Sequence, residues 1–437
     1  MTMLDVASTA RRSSVLADLP VAIIGAGPIG LAAAAHLVER GIDFMIFEKG
    51  DSIASSMAAW GHIRLFSPWE HLVDPAAKRL LEATGWRQAP AGVAPFASDL
   101  IGDYLSPLAG LESIRTRMRT GVTVEAVSRS GMDRTRSVGR GDTPFVLRLR
   151  EGSGVSEVVA RAVIDASGTY GNPNPLGSNG LDPIGHEAVA DRISHALPDV
   201  LGVDRRRFAG KHAVVVGAGH SAANTLVGLA RLAREEPGTT VTWVIRNRSA
   251  ARVSAADGDE LAGRASLGRQ VELLVESGAI QRVDRFEIAR LSAAGDGLDI
   301  VGSRGDSDHA IRADIVVNAT GFRPDIDMLR EIRLELDDIV EAPRRLAPLI
   351  DPNLHSCGTV APHGVAELQQ PESGFFIVGM KSYGRAPTFL LATGYEQVRS
   401  IAAWLDGDVI AAGNVELVLP ATGVCSTSET TTSSCCS

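Results

Sequence analysis

Cysteine is nearly absent from the body of this chain. Only four of its 437 residues are Cys, and Cys357, Cys425, Cys435 and Cys436 all lie toward the C-terminal end. They are too few and too clustered for a disulfide framework, so the default compartment is a reducing cytoplasm. Positive charge is also short. Lys and Arg total 43 against 52 Asp and Glu, a net charge of −9; no global basic field draws in nucleic acid or an anionic membrane, and any phosphate must be bound locally. No uninterrupted apolar run of about 18 residues exists to span a bilayer; the nearest stretch, Val21 to Leu37, is broken by three glycines and a proline. With 45% hydrophobic and 22% charged residues, wholesale disorder and a membrane-embedded bundle are both excluded. The Arg11-Arg12 pair has no small-residue cleavage site after it, so residues 1–18 read as a flexible leader.

Glycine is what the chain has in excess, at 45 residues against a usual ~7%. The reason is visible in residues 20–48, PVAIIGAGPIGLAAAAHLVERGIDFMIFE. An apolar β run leads into Gly25-x-Gly27-x-x-Gly30, Pro28 opens an Ala-rich helix, Gly41 stops it, and a second β run ends at Glu48. Gly25 permits the tight turn, Gly27 lets backbone amides approach a pyrophosphate, and Gly30 lets helix and strand pack closely. Glu48 is placed to accept hydrogen bonds from a ribose diol.

Residues 211–247 repeat the design. KHAVVVGAGHSAANTLVGLA supplies Gly217, Gly219 and the helix-opening His220 and Ser221, with Ala222 in the third small position. The following β run, TVTWVIRN, ends in Arg246 and Arg248 where the first ended in an acid. A guanidinium there suits a 2′-phosphate that a carboxylate would repel, which favours NADPH over NADH. The alternative is that both arginines are solvated surface charges.

The motifs are too far apart for a short-period repeat, so the expected class is α/β with two Rossmann-like dinucleotide-binding domains, the second inserted in the first. The expected divisions are a first part at 19–170, an inserted domain at 171–324, a returning part at 325–415 and a disordered Cys-containing tail at 416–437. Between the motifs, RTGVTVEAVSR, TPFVLRLREG and VARAVIDASG read as a three-stranded meander, and Asn172-Pro173-Asn174-Pro175 as a stiff exit. IRADIVVNATGFRPD, carrying Thr320 and Gly321, ends in a break that returns the chain to the first domain, and an amphipathic helix is expected from about Thr388 to Trp404.

Together GAGPIG with Glu48, ASGTYGNPNP, GAGHSA with Arg246 and NATGFRPD resemble the two-dinucleotide flavoprotein superfamily, especially its flavin-containing monooxygenase branch. WGHIRLFSPWEHLVDP, HSCGTVAPHG and VGMKSYGRAPTFLL are also similar to flavoprotein oxidoreductases of arsenic-resistance gene clusters. The resemblance implies FAD in the first site, NADPH in the second, and hydride transfer to the flavin followed by attack of reduced flavin on oxygen. Two departures stand out. The F-x-G-x-x-x-H-x-x-x-[YF] stretch of the monooxygenase branch is replaced by GHEAVADRISHALPDVLG, where His195 matches the histidine without an aromatic frame. The usual GGxW becomes SSMAAW and retains only Trp60.

By the same resemblance the segment from Trp60 to Asp74 lies near the flavin, where Arg64 could stabilise an anionic reduced flavin or a peroxide and His62 could move a proton. A polar loop with aromatic packing is the bland alternative. Tyr383 and Arg385 are candidate flavin contacts. His355, Cys357 and His363 suggest a substrate pocket or a soft-metal site, although their spacing matches no standard zinc pattern. In the tail, Cys425, Cys435 and Cys436 could wrap a thiophilic metalloid, as a similar vicinal pair does at the end of the mercuric reductases; an incidental terminus is the other reading.

The expected activity is therefore an NADPH-dependent FAD monooxygenase or oxidoreductase acting with molecular oxygen on a small soft nucleophile such as a trivalent arsenical. A flavin-dependent reductase of a thiol-bound metal or disulfide is the runner-up, although no C-x-x-C follows the first glycine motif. A thiol-tail metalloid-binding protein with a redox-sensing nucleotide fold is the third reading. A homodimer is compatible with all three.

Overall fold

The computed structural model describes residues 14–248, 262–305, 307–352, 360, 362–387 and 389–417. Short runs of branched and aromatic side chains form its central strands, because such residues pack well when a parallel sheet is covered on both faces. Val21–Ile24, Phe44–Phe47, Ala162–Asp165 and Phe375–Ile377 are buried almost throughout. With Met118–Arg119 at the edge they form one parallel sheet, in the spatial order 375–377, 162–165, 21–24, 44–47, 118–119. A second parallel sheet has the order Gln281–Val283, Thr240–Val244, His212–Val216, Ile315–Asn318, Ile193–Ser194. The chain is thus α/β with two Rossmann-like sheets, and it returns to the first sheet after completing the second.

Each glycine turn leads into a crossover helix, Pro28–Glu39 in the first unit and His220–Glu235 in the second. Ile29 through Leu37 are all buried, since helices Pro75–Glu82 and Leu391–Asp406 cover the outer face of the first. This explains why its sequence is Ala-rich rather than amphipathic. The helix expected at 388–404 runs from Leu391 to Asp406 and stops at Gly407, in the left-handed conformation at φ +87°.

The three apolar runs between the motifs are divided differently from expectation. Val122–Arg129, Phe145–Glu151 and Gly154–Ala160 form the antiparallel meander. VARAVIDASG is split at Arg161: its start closes the meander, and its buried part, Ala162–Asp165, joins the parallel sheet. The exposed run 154–160 fits an edge, whereas the fully buried run fits only a sheet centre. A second meander, Phe286–Ala294, Gly297–Arg304 and Ser307–Ala313, packs on the second unit.

An ionic junction joins the first meander to the returning chain. Glu372 accepts from Arg129 Nε at 2.8 Å and from Arg140 Nε at 2.9 Å, with all three side chains nearly out of water. Arg129 also lies 3.6 Å over the Phe145 ring and donates to the Ser373 carbonyl.

The leader assigned to residues 1–18 extends too far. Ser14–Ala17 form a helical turn whose Leu16 is buried, while residues 1–13 lie outside the described residues. At the other end Glu416 approaches Arg399 at 3.4 Å, so the first residue of the assigned tail still meets the body. Among the described residues no helix is long and apolar enough to cross a membrane.

Candidate dinucleotide sites and the surface between them

The glycines of both turns fall into two physical kinds. Gly25, at φ +100°, could carry a side chain only with strain, because a Cβ would lie 2.8 Å from the Ala166 carbonyl oxygen. Gly217, at φ +136°, would meet the Ala319 carbonyl oxygen at 2.1 Å. Both are required by backbone geometry and close packing. Gly27 and Gly219 differ, because a Cβ at either would have no chain atom within 4 Å. Nothing in the chain's own packing asks for their small size, and each stands directly before a helix N-terminus. That combination fits a pyrophosphate laid against the first helical turn, so the residues present fit FAD and a second dinucleotide. Gly30, whose Cβ would fall 2.0 Å from the Gly25 oxygen, serves close helix–strand packing; buried Ala222 holds the matching place in the second unit.

The chain crosses between the units through two turns built alike. In Asp165-Ala166-Ser167, the carboxylate Oδ1 accepts from the Ser167 hydroxyl at 2.6 Å and the Ser167 amide at 3.1 Å. In Asn318-Ala319-Thr320, the amide Oδ1 accepts from the Thr320 hydroxyl at 2.7 Å and the Thr320 amide at 3.3 Å. Each turn presents its alanine carbonyl to the first glycine of its own unit. They differ in charge. Asp165 receives Lys381 Nζ at 2.7 Å with both side chains buried, whereas Asn318 donates to the Asn174 carbonyl. Past these turns the two segments run antiparallel: Asn174 N donates to Gly321 O at 2.9 Å, and Arg323 N to Asn172 O at 3.0 Å. Thr320 Oγ1 also lies 3.0 Å from the Asn174 carbonyl oxygen, an alternative acceptor for its one proton.

Glu48, only 7% exposed, accepts from Ala26 N, Gly50 N and Ser55 Oγ, each at 2.8 Å. A carboxylate has about four lone-pair positions, so capacity remains for a ribose hydroxyl while the same group ties the glycine turn to the strand end. Arg246 and Arg248 follow the strand Thr240–Val244 and are exposed. Neither forms an ion pair with a described residue, which leaves both guanidinium groups available to an anion. Sequence reasoning missed Trp243, whose indole Nε1 donates to the Gly217 carbonyl at 2.7 Å and braces the second turn.

The segment after Trp60 lies between the units. Trp60 packs against the first core, and His62 is half-buried. Arg64 is exposed, donates to the Ala94 carbonyl at 2.6 Å and lies 4.3 Å over the Phe96 ring. Phe66 crosses to the second unit and meets His220 edge-on, with ring centroids 5.2 Å apart. No motif pointed to Phe66.

Tyr383 is buried between Phe389 and His363, at 5.1 and 5.7 Å between ring centroids, and burial pushes its phenol well above the usual range. Arg385 is exposed and paired with Glu341 at 2.8 Å. His363 is buried and accepts from Gln397 Nε2 at 2.9 Å; Gln397 Oε1 in turn accepts from Gly379 N. His355, Cys357, Cys425, Cys435 and Cys436 lie outside the described residues. Among the described residues no cluster of three or more His, Cys, Asp or Glu side chains could hold a metal.

His195 does have an aromatic frame, drawn from distant segments. Its ring is 4.5 Å from Tyr170 and stacks at 5.5 Å on Phe322, and Nε2 lies 3.1 Å from the Tyr170 carbonyl. The frame stands where the chain crosses between units.

Comparison with solved structures finds the same architecture at low sequence identity. Bacillithiol disulfide reductase Bdr (YpdA) from Bacillus cereus aligns with a TM-score of 0.66 at 19% identity, over 89% of this chain and 99% of that one. The cadaverine monooxygenase DfoA from Erwinia amylovora, determined with FAD bound, aligns with a TM-score of 0.63 at 13% identity, over 92% and 98%. Among curated proteins, indole-3-pyruvate monooxygenase YUCCA6 of Arabidopsis thaliana is 31% identical over 208 residues, 46% of this chain and 42% of that protein. Thiamine thiazole synthase of Pyrobaculum calidifontis is 31% identical over 161 residues, 35% of this chain and 56% of that protein. The chain therefore spans about half the length of the curated relatives it matches. Residues 19–374, from just before the first strand to just short of the strand Phe375–Ile377, match one family model, and the chain belongs to the pyridine nucleotide-disulphide oxidoreductase family of FAD- and NAD(P)-binding flavoproteins.

Proposed function

We propose that the protein is an NADPH-dependent FAD monooxygenase acting on a soft nucleophile, with trivalent arsenicals as the first substrate class to test. The observation that carries the reading is the repeated glycine turn, with Gly27 and Gly219 each leaving open space before a helix N-terminus. When bound, FAD supplies two-electron redox chemistry and reactivity toward oxygen, and the protein supplies position and shielding. In this reading Glu48 receives the ribose diol of FAD, while Gly27 and the first turn from Pro28 receive its pyrophosphate. Gly219, His220 and Ser221 do the same for NADPH, and Arg246 and Arg248 neutralise its 2′-phosphate.

Buried Tyr383 and half-buried Phe389, edge to face at 5.1 Å, supply an apolar face that shields the site. Half-buried His62 holds the proton-moving role. For Arg64, a guanidinium already held by Ala94 and Phe96 favours fixing the loop over stabilising negative charge. The choice of oxygen over disulfide chemistry rests on the sequence, which has no cysteine before Cys357 and so no redox pair beside the first glycine turn. The reductase alternative draws on Cys357 and the tail thiols Cys425, Cys435 and Cys436, which would deliver or reduce a thiophilic ion.

The test follows NADPH consumption by FAD-loaded protein with and without a trivalent arsenical, with oxygen and peroxide monitored together. Substrate-stimulated oxygen uptake with little peroxide is expected. Substrate-dependent NADPH oxidation that persists without oxygen would replace the monooxygenase with a reductase.

A further inference from the structure

The stretch 61–69 is laced to the segment 93–98. Leu65 N donates to Pro95 O, Ala97 N to Ile63 O, Ser98 N to Gly61 O and Trp69 N to Val93 O, all at 2.8 to 3.0 Å. Arg64 adds its bond to the Ala94 carbonyl and its place over Phe96. This makes a braced arm of the first unit rather than a loose loop. Phe66 lies at the far side of the arm and packs with the core of the second unit. Its ring also lies 3.5 Å from where a Cβ on Gly263 would stand, so it sits between the helix from His220 and the helix Ala262–Glu276. His220 directly follows Gly219, the open glycine of the second turn. A rigid arm from one unit therefore touches the residue that opens the phosphate-facing helix of the other.

We propose that Phe66 is a positioning residue for hydride transfer: pressed on His220, it holds the second dinucleotide cradle at a fixed spacing from the first. The proposal rests on the two-dinucleotide reading above. Phe66 exchanges no atom or electron with either cofactor, and a phenyl ring offers no strong hydrogen bond to a phosphate. Its loss should leave dinucleotide affinity largely intact and disturb how the bound nicotinamide is presented. Rate is far more sensitive to such misplacement than affinity, since an error of about 1 Å can cost on the order of 100-fold.

The experiment uses FAD-loaded full-length protein with Phe66→Ala and Phe66→Leu. Calorimetry with NADP⁺ gives affinity, anaerobic bleaching of the flavin by NADPH gives the transfer rate, and hydrogen exchange with and without NADP⁺ gives coupling independently of turnover. In the parent, NADP⁺ should protect amides at 217–222 and also in the arm 61–66. In Phe66→Ala, protection should remain at 217–222 and vanish from the arm, affinity should change less than about threefold, and bleaching should slow by about tenfold or more. Phe66→Leu should recover much of the rate by restoring apolar contact. Equal arm protection and equal bleaching in parent and Phe66→Ala would overturn the role of Phe66 and leave the donor assignment standing, as would arm protection missing from the parent. Protection at neither segment in the parent, with NADP⁺ or NAD⁺, would overturn both.

Discussion

Lys381 and Asp165 meet at 2.7 Å with neither side chain in contact with water, at the turn where the chain leaves the first sheet. Ser167 completes the arrangement, accepting from Lys381 Nζ at 3.1 Å and donating to the far oxygen of the same carboxylate. The matching turn of the second unit needs no charge, since Asn318 occupies the place of Asp165. Lys381→Met should therefore be far worse than the double change Asp165→Asn with Lys381→Met. The single variant strands a buried carboxylate and should lose about 3–5 kcal/mol, whereas the double variant copies the neutral turn and should recover most of that loss. Urea unfolding of the three proteins checks this. Equal losses in both variants would contradict it.

The two kinds of glycine separate folding from cofactor binding. Gly25→Ala places a side chain at φ +100° against the Ala166 carbonyl and should cost about 1–3 kcal/mol in strain alone. Gly27→Ala meets no chain atom, and the φ of −80° at this position suits alanine, so the apoprotein should be as stable as the parent or up to about 1 kcal/mol more so. Its methyl group would stand in the space assigned to the pyrophosphate. FAD affinity measured by fluorescence quenching should fall about tenfold or more, equivalent to at least ~1.4 kcal/mol. Unchanged FAD affinity in Gly27→Ala would argue against that placement.

The proposed function makes coenzyme choice the work of Arg246 and Arg248. Replacing both with Ala should raise KM for NADPH roughly ten- to a hundredfold, as expected for loss of charge-assisted hydrogen bonds worth about 1.5–3 kcal/mol. KM for NADH should barely move. Steady-state kinetics with both coenzymes decides this, and a parallel loss with NADH would point to damage at the strand end rather than to a lost 2′-phosphate contact.

Glu372 makes part of the stability depend on pH. Burial alone would raise its carboxyl, but hydrogen bonds from Arg140 and Arg129 outweigh that and hold it below the usual glutamate value of 4.5. A group depressed in the folded state stabilises fully above its unfolded value and loses that contribution as pH falls through its folded value. Glu372→Gln should thus cost about 3 kcal/mol at neutral pH by leaving two buried arginines without their counter-ion. The gap to the parent should shrink only below pH 4.5. Urea midpoints measured at neutral pH and in steps below that value follow the gap directly; a gap that stays constant into acid would assign the loss to packing.

The glycine turns and Glu48 were legible in the sequence because a strand, a tight turn and a phosphate-facing helix impose fixed spacing on nearby residues. The unbroken apolar runs 21–24 and 44–47 announced a parallel sheet for the same local reason. Contacts between distant positions left no such trace. Lys381 stands 216 residues from Asp165, the ring of His195 is framed by Tyr170 and Phe322, and Phe66 is an ordinary aromatic until the fold sets it on His220. At Arg161 the chain passes from one sheet to another without a glycine or proline to mark the break, so two strands read as one. The third strand of the second meander, SDHAIRA, is polar along most of its length and exposed over its first half. It carries little apolar alternation for a reader to find.

The antiparallel pairing of Asn172 and Asn174 with Gly321 and Arg323 brings the points of departure and return within one hydrogen bond of each other. The first sheet draws no strand from the span between them, and the buried members of the two cores on that side also come from outside it. The span is therefore a cassette with adjoining ends. It could be excised and the gap closed by a short turn, or exchanged for another module with similarly spaced ends, provided the replacement matched the arm where His220 now meets Phe66 and Tyr170 where it now meets His195.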